Sequence, residues 1–276
     1  MAARIWDNPV ARHASRLGRS SGRAWAVLLL LFVAGAAGAA LQRYWLEMAE
    51  YAFLRPRMLD RWIGMSLVAE TVIALPWAAV RGALLWRRLE RDGHLEEYRR
   101  TRLSPLTITA GALAAVLYPV TALLALSLGV ALAVALGGYE LPVFGTIQAH
   151  LLLLVQSAAF AALGLWLTSR VRYPALAVPL ALLILAAAIL ALAGLEPFYR
   201  QMETPERWIN WALLPNPVTA VGSALETDVL RFGWLYRHLS ANEYFYVYPP
   251  VWQTAGVYGA LAALCLWRVT RQLSKD

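Results

Sequence analysis

Six long apolar runs, separated by polar or aromatic segments, organise this sequence. The runs cover residues 24–41, 62–86, 106–136, 147–168, 174–195 and 251–267. A helix needs about 17–25 apolar residues to cross about 30 Å of hydrocarbon, and each run approaches or exceeds that length. The pattern predicts an all-α fold, a polytopic membrane helix bundle with six transmembrane helices in a single domain over residues 1–276.

The placement of arginine predicts how this bundle is oriented. If the N-terminus is cytoplasmic, the segments on its side of the membrane hold 16 Lys and Arg residues, and the opposite side holds eight. Cytoplasmic loops are usually the richer in these residues. We therefore expect both termini in the cytoplasm. Membrane topology also accounts for the net charge of +8 without a nucleic-acid partner.

Residues 1–23 have the pattern of a basic amphipathic helix. Asn8 followed by Pro9 is typical of a helix start, as cap and first helical position. Four arginines then recur at helical spacing on one face, opposite an apolar face made of Val10, Ala14 and Leu17. Such a helix is expected to lie on the anionic inner surface of a membrane.

The segment 87–105, between the second and third runs, is the most charged part of the chain. Asp92-Gly93 is a turn signal, so the helix leaving the membrane is expected to end there. A short helix over about 94–100 should follow, held crosswise below the membrane. Ser104-Pro105 then has the pattern of a cap and first turn for the third span.

The segment 196–250, between the fifth and sixth runs, holds 11 aromatic residues and should lie on the outer side. Thr204-Pro205 and Asn216-Pro217 each resemble a cap followed by proline in the first turn. They predict two short helices, at about 205–214 and 217–230, that lie on the outer interface or re-enter the membrane. An ordinary aromatic belt and a substrate gate both fit this composition.

Two ionisable residues, Glu70 and Arg81, fall within the second run. Charged groups in lipid usually face protein or water, where they mark a functional path or pair with another helix. Arg81 is near the cytoplasmic end of its run and can extend its guanidinium toward water. Glu70 lies deeper, and either lines a cavity or pairs with another helix. Separately, His150, Gln148 and Gln156 begin the fourth run, and such groups are interhelical hydrogen-bond partners more often than ligands.

Composition excludes several enzyme classes. The only lysine is Lys275, so the chain has no Gly-Lys-Ser/Thr phosphate-binding loop and cannot itself be a P-loop ATPase. The single Cys265 excludes intrachain disulfides and multi-cysteine metal sites. No His-Glu-x-x-His pattern is present, and we expect neither a metal nor a bound cofactor in this chain.

Three motifs, in order along the chain, resemble the permease subunits of type-2 ATP-binding-cassette (ABC-2) exporters. The first is Asn8-Pro9-Val10 at the start of the basic helix. The second, LERDGHLEEYRRTRLSPLT over residues 89–107, is similar to that family's cytoplasmic Glu-Arg-x-x-Gly-x-Leu-Glu loop, except that His94 replaces a small residue or threonine. The third is the Asn-Pro motif in residues 214–218, before the outer re-entrant segment.

The resemblance implies a non-catalytic subunit of a multi-pass, prokaryotic-type cytoplasmic (inner) membrane exporter. Residues 1–23 would be a connecting helix and residues 87–105 a coupling loop that docks on a separate ABC ATPase, which would bind ATP and Mg²⁺. A second permease chain, identical or not, would complete the path. The implied docking residues are Glu90, Arg91, Gly93, Leu95, Glu96, Glu97 and Tyr98, and the implied outer gate includes Trp208, Trp211, Asn216 and Pro217.

Within the coupling loop, Leu95 and Tyr98 share one helical face and are the apolar groups expected to enter a cleft of the partner. Three other functions remain open. The chain could be a structural or assembly subunit of a membrane complex, or an ion-coupled transporter. An intramembrane hydrolase built on Glu96-Glu97 is disfavoured, because that pair lies in an arginine-rich loop without accompanying membrane histidines. The substrate is not indicated by the sequence.

Overall fold

The computed structural model describes residues 8–19, 55–101, 103–136, 142–171, 173–199, 201–228 and 246–274. Every regular element within these residues is a helix. The helices are α1 (Pro9–Arg19), α2 (Arg55–Arg91), α3 (His94–Arg100), α4 (Pro105–Leu136), α5 (Val143–Arg170), α6 (Ala177–Gly194), α7 (Glu196–Tyr199), α8 (Pro205–Leu213), α9 (Pro217–Leu225) and α10 (Val251–Leu273), with a 3-10 turn at Pro174–Leu176 before α6.

Four of the described helices are long and apolar enough to cross a membrane, and they correspond to the second to fifth apolar runs of the sequence. Their candidate spans are Ile63–Arg91, Pro105–Ala133, Val143–Arg170 and Ala177–Phe198. The chain is therefore an all-helical membrane protein. The predicted first span, 24–41, lies outside the described residues. The predicted sixth span is the 23-residue helix α10, which is long enough but less apolar than the other four.

Helix α5 lies at the centre of the bundle and packs against α2, α4, α6, α9 and α10. It approaches α2 most closely. A Cβ atom added to Gly82 on α2 would lie 2.3 Å from the carbonyl oxygen of Ala161, and one added to Gly164 on α5 would lie 2.2 Å from that of Ala79. These contacts join backbone to backbone. Small residues in both helices allow this approach, as in many membrane helix pairs.

The two ends of the bundle differ in chemistry. The arginine-rich end consists of residues 86–101, 103–108, 165–171 and 266–274, where α2 and α4 are joined through α3. The aromatic end consists of residues 142–150, 196–199, 201–228 and 246–254, where α8 and α9 lie. Helix α9 is almost completely buried there among α2, α5, α6 and α10.

Several sequence-based boundaries are confirmed and two are corrected. Helix α2 ends at Arg91 and α3 begins at His94, as the turn at 92–93 predicts. Asn216 caps α9 by accepting hydrogen bonds from two backbone amides. Thr204, in contrast, makes no side-chain cap for α8. Helix α9 ends at Leu225, not at residue 230, because Glu226 adopts a left-handed conformation that stops the helix.

Candidate functional site

The arginine-rich end presents α3 as a short helix between the ends of two long ones. Gly93 makes the turn with φ of 76°, a conformation that side chains with a Cβ adopt reluctantly. On the far side of α3, Ser104 caps α4 by accepting a hydrogen bond from the amide of Thr107 at 3.2 Å. The predicted helix break at 92–93 and the short helix after it are confirmed.

Leu95 faces into the protein, which corrects one prediction. Its side chain is 7% exposed and belongs to an apolar cluster contributed by α1, α2, α4, α5 and α10. Tyr98, on the same face, is half-buried against that cluster. Leu95 is therefore wrongly assigned as an anchor for a partner protein, since its apolar surface is already covered by this chain. Burial, followed by the charge of Glu97, raises the pKa of the Tyr98 hydroxyl.

The outward face of α3 is charged. Glu96, Glu97 and Arg100 are exposed, as is Arg91 just before the turn. Glu96 accepts a hydrogen bond from Arg99 at 2.8 Å. Any partner that docks on α3 from outside therefore meets carboxylates and guanidinium groups before it meets apolar atoms.

Glu97 is exposed and held by a histidine. His94 donates a hydrogen bond from Nδ1 to its Oε2 at 2.9 Å. This bond, together with the nearby positive groups, holds the pKa of the Glu97 carboxyl below its ordinary value. Glu97 is therefore anionic on the outward face of α3 at neutral pH.

Beside α3 lies a groove of about 150 Å³ that opens toward the ends of α5 and α10. Trp86 and Glu90 line it from α2, Glu96 and Arg99 from α3, and Gln272 from α10. The indole of Trp86 donates to the Glu90 carboxylate at 2.7 Å. Glu90 and Glu96 thus both belong to the wall of the groove, whereas Glu97 does not line it.

Helix α1 is attached to this end of the bundle. Asn8 caps α1 by accepting from the amide of Val10 at 2.9 Å, and its Nδ2 donates to the carbonyl of Thr107 on α4 at 2.8 Å. Val10 and Ala14 are buried and Arg12 is exposed, as the amphipathic pattern predicts. The apolar side, however, packs on α4 beside Gly111. The ring of His13 contacts that of His94, so α1 also touches α3.

The two ionisable residues of α2 have different surroundings. Arg81 lies with its guanidinium carbon 5.2 Å from the ring centre of Trp77, on its own helix. Glu70 instead contacts two other helices. It accepts a hydrogen bond from Ser127 on α4, and its Oε2 lies 3.7 Å from Nε2 of His150 on α5. The interhelical role considered for Glu70 is the one this geometry supports.

Sequence reasoning did not identify Ser127. A single serine in an apolar run most often bonds to its own helix, so its presence alone carries little information. A combined search for polar residues at matching depths in neighbouring runs would have found it. Measured along the candidate membrane spans, Glu70 lies seven residues from Ile63, Ser127 six from Ala133 and His150 seven from Val143, each at the aromatic end.

At the aromatic end, the predicted gate residues separate into two groups. Asn216 and Pro217 are buried, and Asn216 also donates to the carbonyl of Ile189 on α6 at 3.0 Å. Trp208 and Trp211 on α8 are 46% and 66% exposed. The first pair therefore fixes α9 in the bundle, and the second presents large aromatic surface outward, as in an interfacial belt.

In the part of the chain that the structure describes, no three His, Cys, Asp or Glu side chains converge in a way that could hold a metal ion. Comparison with known protein families and with curated proteins found no match to this chain. Functional assignment therefore depends on its own motifs and geometry.

Proposed function

We propose that this chain is the membrane-spanning permease subunit of an ABC-2 exporter, which forms a substrate path and couples to a separate ATPase subunit. The observation that carries the proposal is the short helix α3, which joins α2 to α4 at the arginine-rich end. A short helix held rigidly between two membrane helices can transmit a push from a bound partner to both of them.

The packing around α3 supports this role. Leu95 fixes α3 from inside, and Gly93 and Ser104 fix its two ends. Because the anchor is internal, the contacts offered to the ATPase are the charged groups on the outer face, Glu96, Glu97 and Arg100, together with the adjacent groove. Charged contacts of this kind set partner choice and orientation.

Affinity purification of the tagged chain from membranes of its native cells tests the proposal. We expect a second protein to co-purify that hydrolyses ATP and carries a P-loop. Glu96→Arg together with Glu97→Arg should reduce its recovery at least about tenfold, since a loss of about 1.4 kcal/mol of binding free energy is enough for that change.

The double variant Glu203→Arg with Glu206→Arg is the matched control. It changes net charge by the same amount at two exposed positions of the aromatic end. We expect it to retain the ATPase. Co-purification of no ATP-hydrolysing protein, or equal recovery with both double variants, would contradict the proposed docking surface.

The proposal includes an orientation and an oligomeric state. Reporter fusions after residues 95, 171 and 276 should report the cytoplasm, and fusions after 55, 140 and 225 the outer side. Mass measurement in mild detergent should find two permease chains with two ATPase chains, because six helices alone form too small a bundle for a gated path. A cytoplasmic signal at 225, or an active complex with one permease chain, would refute these parts.

A further inference from the structure

Three membrane helices meet at a polar cluster of Glu70 (α2), Ser127 (α4) and His150 (α5). Ser127 Oγ contacts both other side chains: it bonds to Oε1 of Glu70 and lies 3.3 Å from Nε2 of His150. His150 is 5% exposed and Ser127 9%. Among the described residues, the second carboxylate oxygen of Glu70 is buried without a hydrogen-bond partner, and it lies 3.7 Å from the imidazole.

The other ring nitrogen fixes the protonation pattern of His150. Its Nδ1 lies 2.8 Å from the backbone carbonyl oxygen of Thr146. A carbonyl only accepts, so Nδ1 carries a hydrogen. It follows that Nε2 bears a hydrogen only when the ring is an imidazolium, and is otherwise an acceptor facing Ser127.

Both contacts of Ser127 can be satisfied by two arrangements, and each has one shared proton. In the first, Ser127 donates to the Glu70 carboxylate and accepts from the imidazolium of His150. In the second, Glu70 is a carboxylic acid that donates to Ser127, which donates to neutral His150. Without the proton, the single hydroxyl hydrogen of Ser127 faces two acceptors, and one contact is lost.

The charge of the cluster also favours the state with one shared proton. With one proton the cluster is neutral overall, whereas without it or with a second proton a net charge is buried away from water, which is costly. Within the described residues, no other ionisable group contacts the cluster. Arg81 is eleven residues from Glu70 along α2, and Tyr118 of α4 is exposed. Helix α6 has no ionisable residue, and the hydroxyl of Tyr258 on α10 donates to the carbonyl of Pro215. After α9, Glu226 is exposed and Asp228 accepts hydrogen bonds from Tyr246 and Tyr248.

We propose that Glu70, Ser127 and His150 form an intramembrane proton-binding site that holds one proton shared between the carboxylate and the imidazole. Transfer proceeds through the hydroxyl. The O–H bond of Glu70 breaks as its proton passes to Ser127 Oγ, and the hydrogen of Ser127 passes to Nε2 of His150. The products are a carboxylate, an intact serine and an imidazolium. Loss of the proton leaves the hydroxyl hydrogen of Ser127 with the Glu70 carboxylate, and the hydrogen bond between Ser127 and His150 is lost.

Two spectroscopic probes on the purified full chain in lipid nanodiscs test this site, and neither needs an ATPase partner. Infrared spectroscopy follows the protonated carboxyl band of Glu70, which is assigned by its loss in Glu70→Gln. Nitrogen NMR follows the ring of His150, which is assigned by its loss in His150→Gln. We expect both signals to change in the same step of a pH titration, because strongly interacting groups share their titration steps.

Independent groups would instead titrate in two steps about two pH units apart, the difference between ordinary glutamate and histidine side chains. That result, or a His150 signal that Glu70→Gln leaves unchanged, would overturn the proposal. The ring of His94 is an internal control that should not respond to Glu70→Gln. Should Glu70→Gln not fold, Glu70→Asp is the second variant. It keeps a carboxyl group at this position, and the infrared carboxyl band still shifts, so that the band can be assigned to residue 70.

Discussion

Replacing Gly164 with alanine should destabilise the bundle at its tightest helix contact. The added Cβ would lie 2.2 Å from the carbonyl oxygen of Ala79 and 2.8 Å from the backbone nitrogen of Ala83. Neither atom can rotate away as a flexible side chain would. Ordinary van der Waals contact begins at about 3.4 Å, so α2 and α5 must separate locally by about 1 Å.

The cost of this separation can be bounded. A gap of about 0.5–1 Å removes a quarter to a half of the dispersion attraction between the atoms it parts. Overpacking of a well-packed core usually costs about 1–3 kcal/mol. Alanine returns up to about 1 kcal/mol through its better helix propensity. We therefore expect a net loss of about 1–2 kcal/mol in the free energy of unfolding.

Thermal unfolding in one detergent at one scan rate measures the effect. A loss of this size should lower the midpoint by roughly 2–8 °C for a chain of about this length. Gly129→Ala is the control, because no atom of the described residues lies within 4 Å of the Cβ it would add in α4. It should leave the midpoint unchanged or raise it slightly. Equal midpoints for the two variants would refute the assigned α2–α5 contact.

Three further predictions follow from hydrogen bonds that the structure assigns. Asn216→Ala should lower the free energy of unfolding by about 1–3 kcal/mol, because it removes a buried cap. Thr204→Ala should change the free energy of unfolding little in the same assay, because Thr204 makes no cap bond. Asn8→Ala should detach α1 from α4, raising protease cleavage within α1 while the bundle stays folded. The lowered pKa of Glu97 means that its bond to His94 stabilises α3 above the ordinary glutamate pKa. That stabilisation should be lost as the pH falls through the lower value, with faster amide exchange in α3 that Glu97→Gln makes independent of this step.

Local rules predicted much of this fold from the sequence. Apolar runs of spanning length predicted four membrane helices, and the turn at 92–93 and the cap at Ser104 predicted the end of α2 and the start of α4. The cap and turn roles of Asn8, Gly93 and Asn216 illustrate why. Each of these roles acts on backbone groups within three residues, so it can be predicted without knowledge of distant neighbours. Thr204 failed as a cap although its residue type is suitable, because its hydroxyl does not reach the amides of the first turn.

It was harder to predict what covers the apolar or polar face of each helix. Leu95 and Tyr98 define the apolar side of α3, but the sequence does not state whether another protein or the chain itself covers that side. The structure covers it with residues from distant parts of the chain, including Trp86 and Val269. Ser127 was missed for the same reason, since its importance depends on Glu70 and on another helix. Long-range packing decides both cases.

The proposed docking end and the proposed proton site are joined by the same two helices. Glu90 and Glu70 both lie on α2, and His150 lies on α5, whose far end borders the groove at Ser169. Between these two levels, α2 and α5 touch backbone to backbone at Gly82 and Gly164. We therefore expect this helix pair to move as one body when α3 is displaced. Motion transmitted from α3 should then keep Glu70 and His150 together and change their distance to Ser127 on α4. The hydroxyl of Ser127 is therefore the group that a conformational change would remove from the proton site.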